Sequence, residues 1–225
     1  MKGSLLRGAA LTLLLAGVAA ATTLKRLTLE QVADRAREIV VATVEEKTAV
    51  PEEETGRIYT DVRFGSLETW KGTVKGSSIT YRFAGGTIGK RRVFVPGVPA
   101  YKVGTRHVLF ANPDDDTLCA TVGWIQGSFR LHKWANEDIE RVYDAHGHPV
   151  YGFSGGIPVL KPSEDRPRPL NLVEFQVEVT RALEKAERER RQRAHEGKPE
   201  PRDPELADDE AKRRQPPAAK KEGEK

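Results

Sequence analysis

The chain has 225 residues, and its 37 Lys and Arg outnumber its 33 Asp and Glu, for a formal net charge of +4. Half of this excess lies in Lys2 and Arg7, while residues 22–180 hold equal numbers of acidic and basic side chains. A neutral region of this size lacks the basic surface that nucleic-acid binding requires, so we expect no nucleic-acid partner.

The first 21 residues have the organisation of a secretory signal peptide. Two basic residues are followed by the apolar run Ala9–Ala20, which is shorter than the ~20 residues of a membrane span, and by small residues at Ala19–Ala21. We therefore predict cleavage near Ala21 and an exported protein, periplasmic or extracellular. No later segment is apolar enough to predict a membrane span.

The amino-terminal half of the remaining chain predicts a short helix followed by strands. Thr28 is a candidate cap for a helix over about Leu29–Arg37, and the polar segment Glu45–Gly56 predicts a loop. Gly65 interrupts an alternating pattern, as at a β-bulge. Segments that are β-branched, or that alternate apolar and polar residues, predict strands at Ile39–Val44, Ile58–Phe64, Ile79–Phe83 and Arg92–Val95.

The next part of the chain predicts further short strands. His107–Phe110 and Leu118–Ile125 form a predicted hairpin, because the residues that join them, Asn112–Asp116, favour turns. Phe129–Leu131 predicts a strand and Asn136–Tyr143 a helical turn. Two segments rich in turn-forming residues predict a small hairpin and a connector, Tyr143–Tyr151 and Pro158–Pro169.

The carboxy-terminal part predicts one long helix and a tail. Asn171–Glu174 resembles a capping box, so a helix is expected over about Leu172–Arg193. Its apolar residues share one face that would dock on the β domain: Leu172, Phe175, Val179 and Leu183. Residues 196–225 are rich in proline and charge and are expected to be disordered.

The spacing of strands and turns favours a mainly β protein, and its glycines and bulge site favour a small closed antiparallel barrel. We expect a signal peptide at 1–21, a β-barrel domain at 22–170, a helix at 171–195 and a charged tail at 196–225. The only cysteine, Cys119, excludes an internal disulfide and lies in an apolar run, so we expect a buried, inert thiol.

Three sequence blocks follow one another along the chain: Ala42–Val44, Thr60–Gly72 with its final Trp-Lys-Gly, and Tyr101–Gly104 leading into Val108–Phe110. This order resembles exported bacterial proteins whose domain is similar to the netrin-like module of the tissue inhibitors of metalloproteinases. The resemblance covers roughly residues 38–131 and implies an OB-fold barrel with a flanking helix. Gly85-Gly86 and Val95–Pro99 also occur in such bacterial proteins, without an implied activity. The inhibitors chelate the protease zinc through an amino-terminal cysteine, whereas this chain would begin near Thr22, so the inhibitory residue does not carry over.

Two local patterns resemble parts of catalytic or metal sites but lack their remaining parts. His146 and His148, with Asp144 nearby, could contribute to a metal clip, yet the sequence has no further nearby ligand pair and an exposed turn is expected. Ser154 lies in a G-x-S-x-G pattern, but Pro158 follows where a nucleophile elbow requires a helix. We therefore expect no catalytic, cofactor or metal residues and no cofactor.

Basic and aromatic residues are interspersed between residues 81 and 106. The candidate anion-binding residues are Arg82, Lys90, Arg91, Arg92, Lys102 and Arg106, and the interleaved aromatic residues are Tyr81, Phe83, Phe94 and Tyr101. On an OB-type barrel such residues can stack on a ligand and follow an anionic backbone. The alternative is that the aromatic rings fill the core while the basic groups are simply solvated.

Three functional hypotheses follow. The first is an exported, non-enzymatic β-barrel module that binds a protein or cell-envelope partner. The second is a module that binds an anionic surface polymer through Lys90–Arg92. The third is a hydrolase, for which only Ser154 and the two histidines of the turn provide a signal.

Overall fold

The computed structural model describes residues 25–113 and 118–196. The predicted signal peptide, most of the predicted turn at Asn112–Asp116 and the predicted tail beyond residue 196 lie outside the described residues. The helices are α1 (Leu29–Arg35) and α2 (Leu172–His195). The strands are β1 (Glu38–Pro51), β2 (Ile58–Lys71), β3 (Ser78–Ala84), β4 (Gly86–Ile88), β5 (Arg91–Val93), β6 (Arg106–Ala111), β7 (Ser128–Lys133), β8 (Glu140–Tyr143), β9 (Gly152–Ser154) and β10 (Ile157–Val159).

One large antiparallel sheet organises the protein, in the order β3-β2-β1-β6-β7-β8. The remaining strands form two separate hairpins, β4–β5 and β9–β10. In the central strand β1, Ile39–Ala42 are all buried, because alternate side chains contribute to cores on opposite faces of the sheet. The prediction of a mainly β protein with one short and one long helix is therefore confirmed.

Both helices cover one face of the sheet. Apolar residues of α1 and α2, including Val32, Phe175 and Val179, pack there against β1, β6, β7 and β8. The ammonium group of Lys71, at the end of β2, donates hydrogen bonds to the carbonyl oxygens of Ala33 and Asp34 at 2.8 and 2.9 Å. These bonds satisfy free carbonyl groups where α1 ends and tie the helix to the sheet.

The opposite face of the sheet carries a second core. Phe64 of β2 and Phe83 of β3 pack there around Tyr101, with ring centroids 5.3 and 4.9 Å from the Tyr101 ring. Cys119 lies in the same core and is buried, as predicted. Burial raises the pKa of its thiol, which disfavours the reactive thiolate form.

Both predicted helix starts are confirmed. The Thr28 hydroxyl accepts a hydrogen bond from the backbone N–H of Gln31, whose side-chain oxygen accepts one from the Thr28 N–H. Asn171 and Glu174 form the same reciprocal pair at the start of α2. Because a capping box requires only residues three apart, local sequence suffices to locate it.

The predicted loop at Glu45–Gly56 is wrong over most of its length. Strand β1 continues to Pro51 and pairs with β2, which in turn pairs with β3 on its other side. The polar residues of β1 therefore form an exposed strand at the edge of this part of the sheet, and we call this paired segment the β1–β2 arm. Polarity marks solvent exposure here and not irregular backbone. The predicted irregularity at Gly65 is confirmed, because the β1–β2 register shifts there and Ser66 has φ of 53°.

Two other predictions for the middle of the chain are also wrong. Leu118–Ile125 forms isolated bridges and the start of a 3-10 helix, Trp124–Gly127, and not a strand. Asn136–Tyr143 ends in strand β8 and not in a helical turn, because its last residues pair with β7 and bury Val142. The pairing partner, which is remote in sequence, outweighs the local preference.

The hydrogen-bonded ladders end at β3 and β8, so the described residues form an open sheet and no closed barrel is found. Two isolated bridges, Phe83–Cys119 and Ala111–Thr121, place the segment 118–121 between β3 and β6. Neither helix of the described residues combines the length and hydropathy of a membrane span.

Candidate functional site

The six candidate anion-binding residues lie on several elements, and two of them are neutralised by carboxylates. Arg82 donates two hydrogen bonds to Asp61 across the β2–β3 pair, at 2.7 and 2.8 Å. Arg106 forms ion pairs with Glu140 and, at 3.6 Å, with Glu68. These two guanidinium groups stabilise cross-strand contacts and leave little charge for a ligand.

Three of the remaining four cations, Lys90, Arg91 and Arg92, belong to the small hairpin of residues 86–94, which we call the basic hairpin. Gly85 and Gly86, with φ of 93° and 148°, turn the chain out of β3 into β4. A Cβ on Gly86 would lie 2.6 Å from the hydroxyl oxygen of Thr60, so only glycine permits this close approach. The Thr60 hydroxyl donates to the Gly85 carbonyl at 2.7 Å and fixes the hairpin beside the β1–β2 arm.

The tip of the basic hairpin is exposed and positively charged. Lys90, Arg91 and Arg92 are exposed, and none of them forms an ion pair with another residue that the structure describes. Phe94, which follows β5, is 76% exposed, and Ile88 is also exposed. Three exposed cations next to an exposed aromatic ring form a surface suited to an anionic partner with some apolar character.

The predicted aromatic partners divide between the core and the surface. Tyr81, Phe83 and Tyr101 are buried and belong to the core opposite the helices, which is the alternative that the sequence left open for them. Only Phe94 accompanies the cations at the surface. Lys102 is exposed in the loop after Tyr101.

Acidic residues lie beside one side of the basic hairpin. A Cβ on Gly56, in the turn that follows Glu52–Glu54, would lie 4.0 Å from a guanidinium nitrogen of Arg91. The proximity of this acidic turn lowers the local positive potential without forming an ion pair with Arg91. The acidic turn therefore weakens the attraction of Arg91 for an anionic partner.

A buried polar cluster adjoins the second core. His107 is 4% exposed, and its Nε2 is 2.8 Å from the Thr105 hydroxyl. Among the described residues, neither His107 Nδ1 nor Arg130 Nε has a hydrogen-bond partner. Burial, together with the nearby positive charge of Arg130, lowers the pKa of His107 to about 4. The imidazole is therefore neutral at pH 7 and enclosed, as in a structural role.

The two histidines of the predicted turn are exposed, as expected. Asp144 Oδ1 accepts hydrogen bonds from the backbone N–H groups of His146 and His148, at 2.9 and 2.8 Å. The carboxylate therefore organises the turn. The described residues contain no group of three His, Cys, Asp or Glu side chains positioned to hold a metal ion. Ser154 ends β9 and is followed by a turn into β10, where a nucleophile elbow would require a helix.

An apolar cavity of about 170 Å³ lies between α1, the 3-10 helix, the turn at Asp144–His146 and the β9–β10 hairpin. Sequence reasoning missed it. Its walls come from segments that are as far apart as Leu27 and Leu160 and that have no common motif. Only the topology brings them together.

Comparisons with known proteins add no relative: no family model, no curated protein and no solved structure matches the chain. The resemblance to the netrin-like module remains a prediction.

Proposed function

We propose that this chain is an exported, non-enzymatic binding module that contacts an anionic polymer of the cell envelope through the basic hairpin. The observation that carries the proposal is the contrast between two sets of cations. Arg82 and Arg106 are neutralised by carboxylates, whereas Lys90, Arg91 and Arg92 are exposed and unpaired among the described residues, beside the exposed ring of Phe94. Exposed charges of one sign steer and hold a polyanion.

The proposal includes an OB-like barrel as the scaffold. Its support is the placement of the segment 118–121 between β3 and β6, where Ala84 N–H donates to Leu118 O and Asn112 N–H donates to Ala120 O. With β1 and β2, these elements would complete a ring around the core that contains Phe64 and Tyr101. In that arrangement the basic hairpin projects from one end of the barrel.

Replacing Lys90, Arg91 and Arg92 together with glutamine is expected to weaken association with the envelope by about tenfold. Each exposed ion pair contributes roughly 0.5 kcal/mol, so three give about 1.5 kcal/mol. The measurement is co-sedimentation of the purified protein with an envelope fraction treated with protease, which keeps polymers and removes protein partners. Rising salt should release the unmodified protein, because exposed charges are screened within ~8 Å at physiological ionic strength.

A charge-matched control separates local recognition from net charge. Arg181, Arg188 and Arg191 lie exposed on α2, and glutamine at all three removes the same charge far along the chain from the hairpin. This variant should sediment like the unmodified protein. Equal losses in both variants, or binding that disappears after protease treatment, would contradict the proposal and favour a protein partner.

Export is tested separately. We expect the mature protein to begin at about Thr22, because two basic residues, a short apolar run and the Ala19–Ala21 triplet precede it. Amino-terminal sequencing of protein recovered from the periplasm or medium measures this directly. Retention of Met1 on a protein found only in the cytoplasm would contradict export and, with it, an envelope partner.

A further inference from the structure

We propose that the apolar cavity beside α1 binds a small monocyclic aromatic molecule that carries one hydrogen-bond donor. The cavity is independent of the basic hairpin. Most of its lining is apolar, from residues of α1, β7 and the β9–β10 hairpin. Polar residues also line it: Arg26, Gln126, Ser128, Asp144 and His146. A volume of about 170 Å³ is close to that of an engineered apolar cavity of about 150 Å³ that takes up benzene.

The walls of the cavity are held by their own hydrogen bonds, so the space is preformed. The Gln126 side chain accepts from the Leu27 N–H at 2.8 Å and donates to the Lys25 carbonyl at 2.9 Å. The Leu29 N–H donates to the Gly156 carbonyl at 2.7 Å, which fixes the β9–β10 hairpin to the first turn of α1. A Cβ on Gly156 would lie 2.6 Å from Thr28 Cβ, so this contact depends on glycine. A site with fixed walls loses little conformational entropy on binding.

Two features favour an aromatic ring over an aliphatic group. Phe129 and Phe153 both line the cavity, with their ring centroids 6.4 Å apart and their planes at 68°. These rings continue into an aromatic cluster around Phe175, which stacks on Phe153 at 5.9 Å. A further ring of matching size could extend the cluster through edge-to-face contacts, which aromatic pairs prefer.

The polar residues of the lining define the ligand's hydrogen-bonding group. Asp144 Oδ1 already accepts two backbone hydrogen bonds, whereas Oδ2 accepts one, from His148 Nδ1 at 3.1 Å. A carboxylate has about four acceptor positions, so Oδ2 retains one for a ligand. A phenolic hydroxyl can donate to it, and the oxygen of the same hydroxyl can accept from Arg26 or His146, which line the same cavity.

The test is an NMR titration of the full mature chain with p-cresol. We expect saturable amide shifts confined to residues around the cavity, such as Ile125, Phe129 and Ala145. The saturated analogue 4-methylcyclohexanol, which keeps a hydroxyl group at the same position but lacks the aromatic ring, should bind about tenfold more weakly. Absence of saturable shifts up to about 10 mM p-cresol, or equal affinity for both probes, would overturn the proposal.

A blocking variant ties the binding to the cavity. Leu160 lines the cavity and is 40% exposed, so Leu160→Trp should cover it without disturbing the core, and p-cresol affinity should fall about tenfold. Val177 on α2 is 44% exposed and does not line the cavity, so Val177→Trp is the matched control and should bind normally. If Leu160→Trp impairs folding, Ala145→Trp blocks the cavity from another segment. Unchanged affinity in a folded blocking variant would overturn the proposal.

Discussion

Replacing Phe175 with alanine is expected to destabilise the protein by about 3–5 kcal/mol, because it removes a large buried ring and leaves a cavity. Phe175 is 0% exposed. Its ring centroid lies 4.8 Å from that of Phe129 and 6.2 Å from that of Trp70, so it joins α2 to both β7 and β2. Urea unfolding of the mature protein, followed by circular dichroism, measures the change in the free energy of unfolding.

His146→Ala is the control for the Phe175 variant. His146 is exposed in the turn organised by Asp144, where substitutions usually change stability by less than about 0.5 kcal/mol. A loss in His146→Ala equal to that in Phe175→Ala would contradict the assignment of the main core to the interface between sheet and helices.

Lowering the pH from 6.5 towards 4 is expected to destabilise the protein through His107 by up to about 3 kcal/mol. The folded protein holds the pKa of His107 near 4, because the imidazole is buried and lies near Arg130. In the unfolded chain the same group has its ordinary pKa of about 6.5. The unfolded state therefore binds more protons within this window, and stability falls as the pH falls through it. Urea unfolding at several pH values between 7 and 4 measures the slope.

The variant His107→Gln separates the contribution of His107 from that of the carboxylates, which titrate in the variant and in the unmodified protein alike. Glutamine does not titrate, so the pH dependence should be shallower even if the variant is less stable at pH 7. His132 lies exposed on β7 and provides the control, since His132→Gln should keep the slope of the unmodified protein. Equal slopes for His107→Gln and the unmodified protein would show that His107 is not held neutral in the fold.

Local rules determined several parts of this fold from the sequence alone. The helix cap at Thr28 and the capping box at Asn171 depend only on residues within three positions of each. A β-branched apolar run was enough to predict the buried central strand at Ile39–Val44. Helical periodicity was enough to predict the buried face of α2 that includes Phe175 and Val179. Each of these signals is complete within one element.

Pairing between distant segments decided what the sequence left open or predicted wrongly. The polar residues of the β1–β2 arm are strand because β2 pairs with them, and Asn136–Tyr143 ends as a strand because β7 lies beside it. Such pairing depends on partners that no local window contains.

The candidate sites show the same division. The cations between residues 82 and 106 can be read from the sequence. Only the tertiary structure shows that Arg82 pairs with Asp61, whereas Lys90–Arg92 are exposed and form no ion pair with another described residue. It also brought Leu27, Phe129 and Leu160 together around one cavity. Charge and hydropathy are properties of single residues and can be read from the sequence, whereas ion pairing and enclosure depend on distances in space, which are set when the sheet and helices pack.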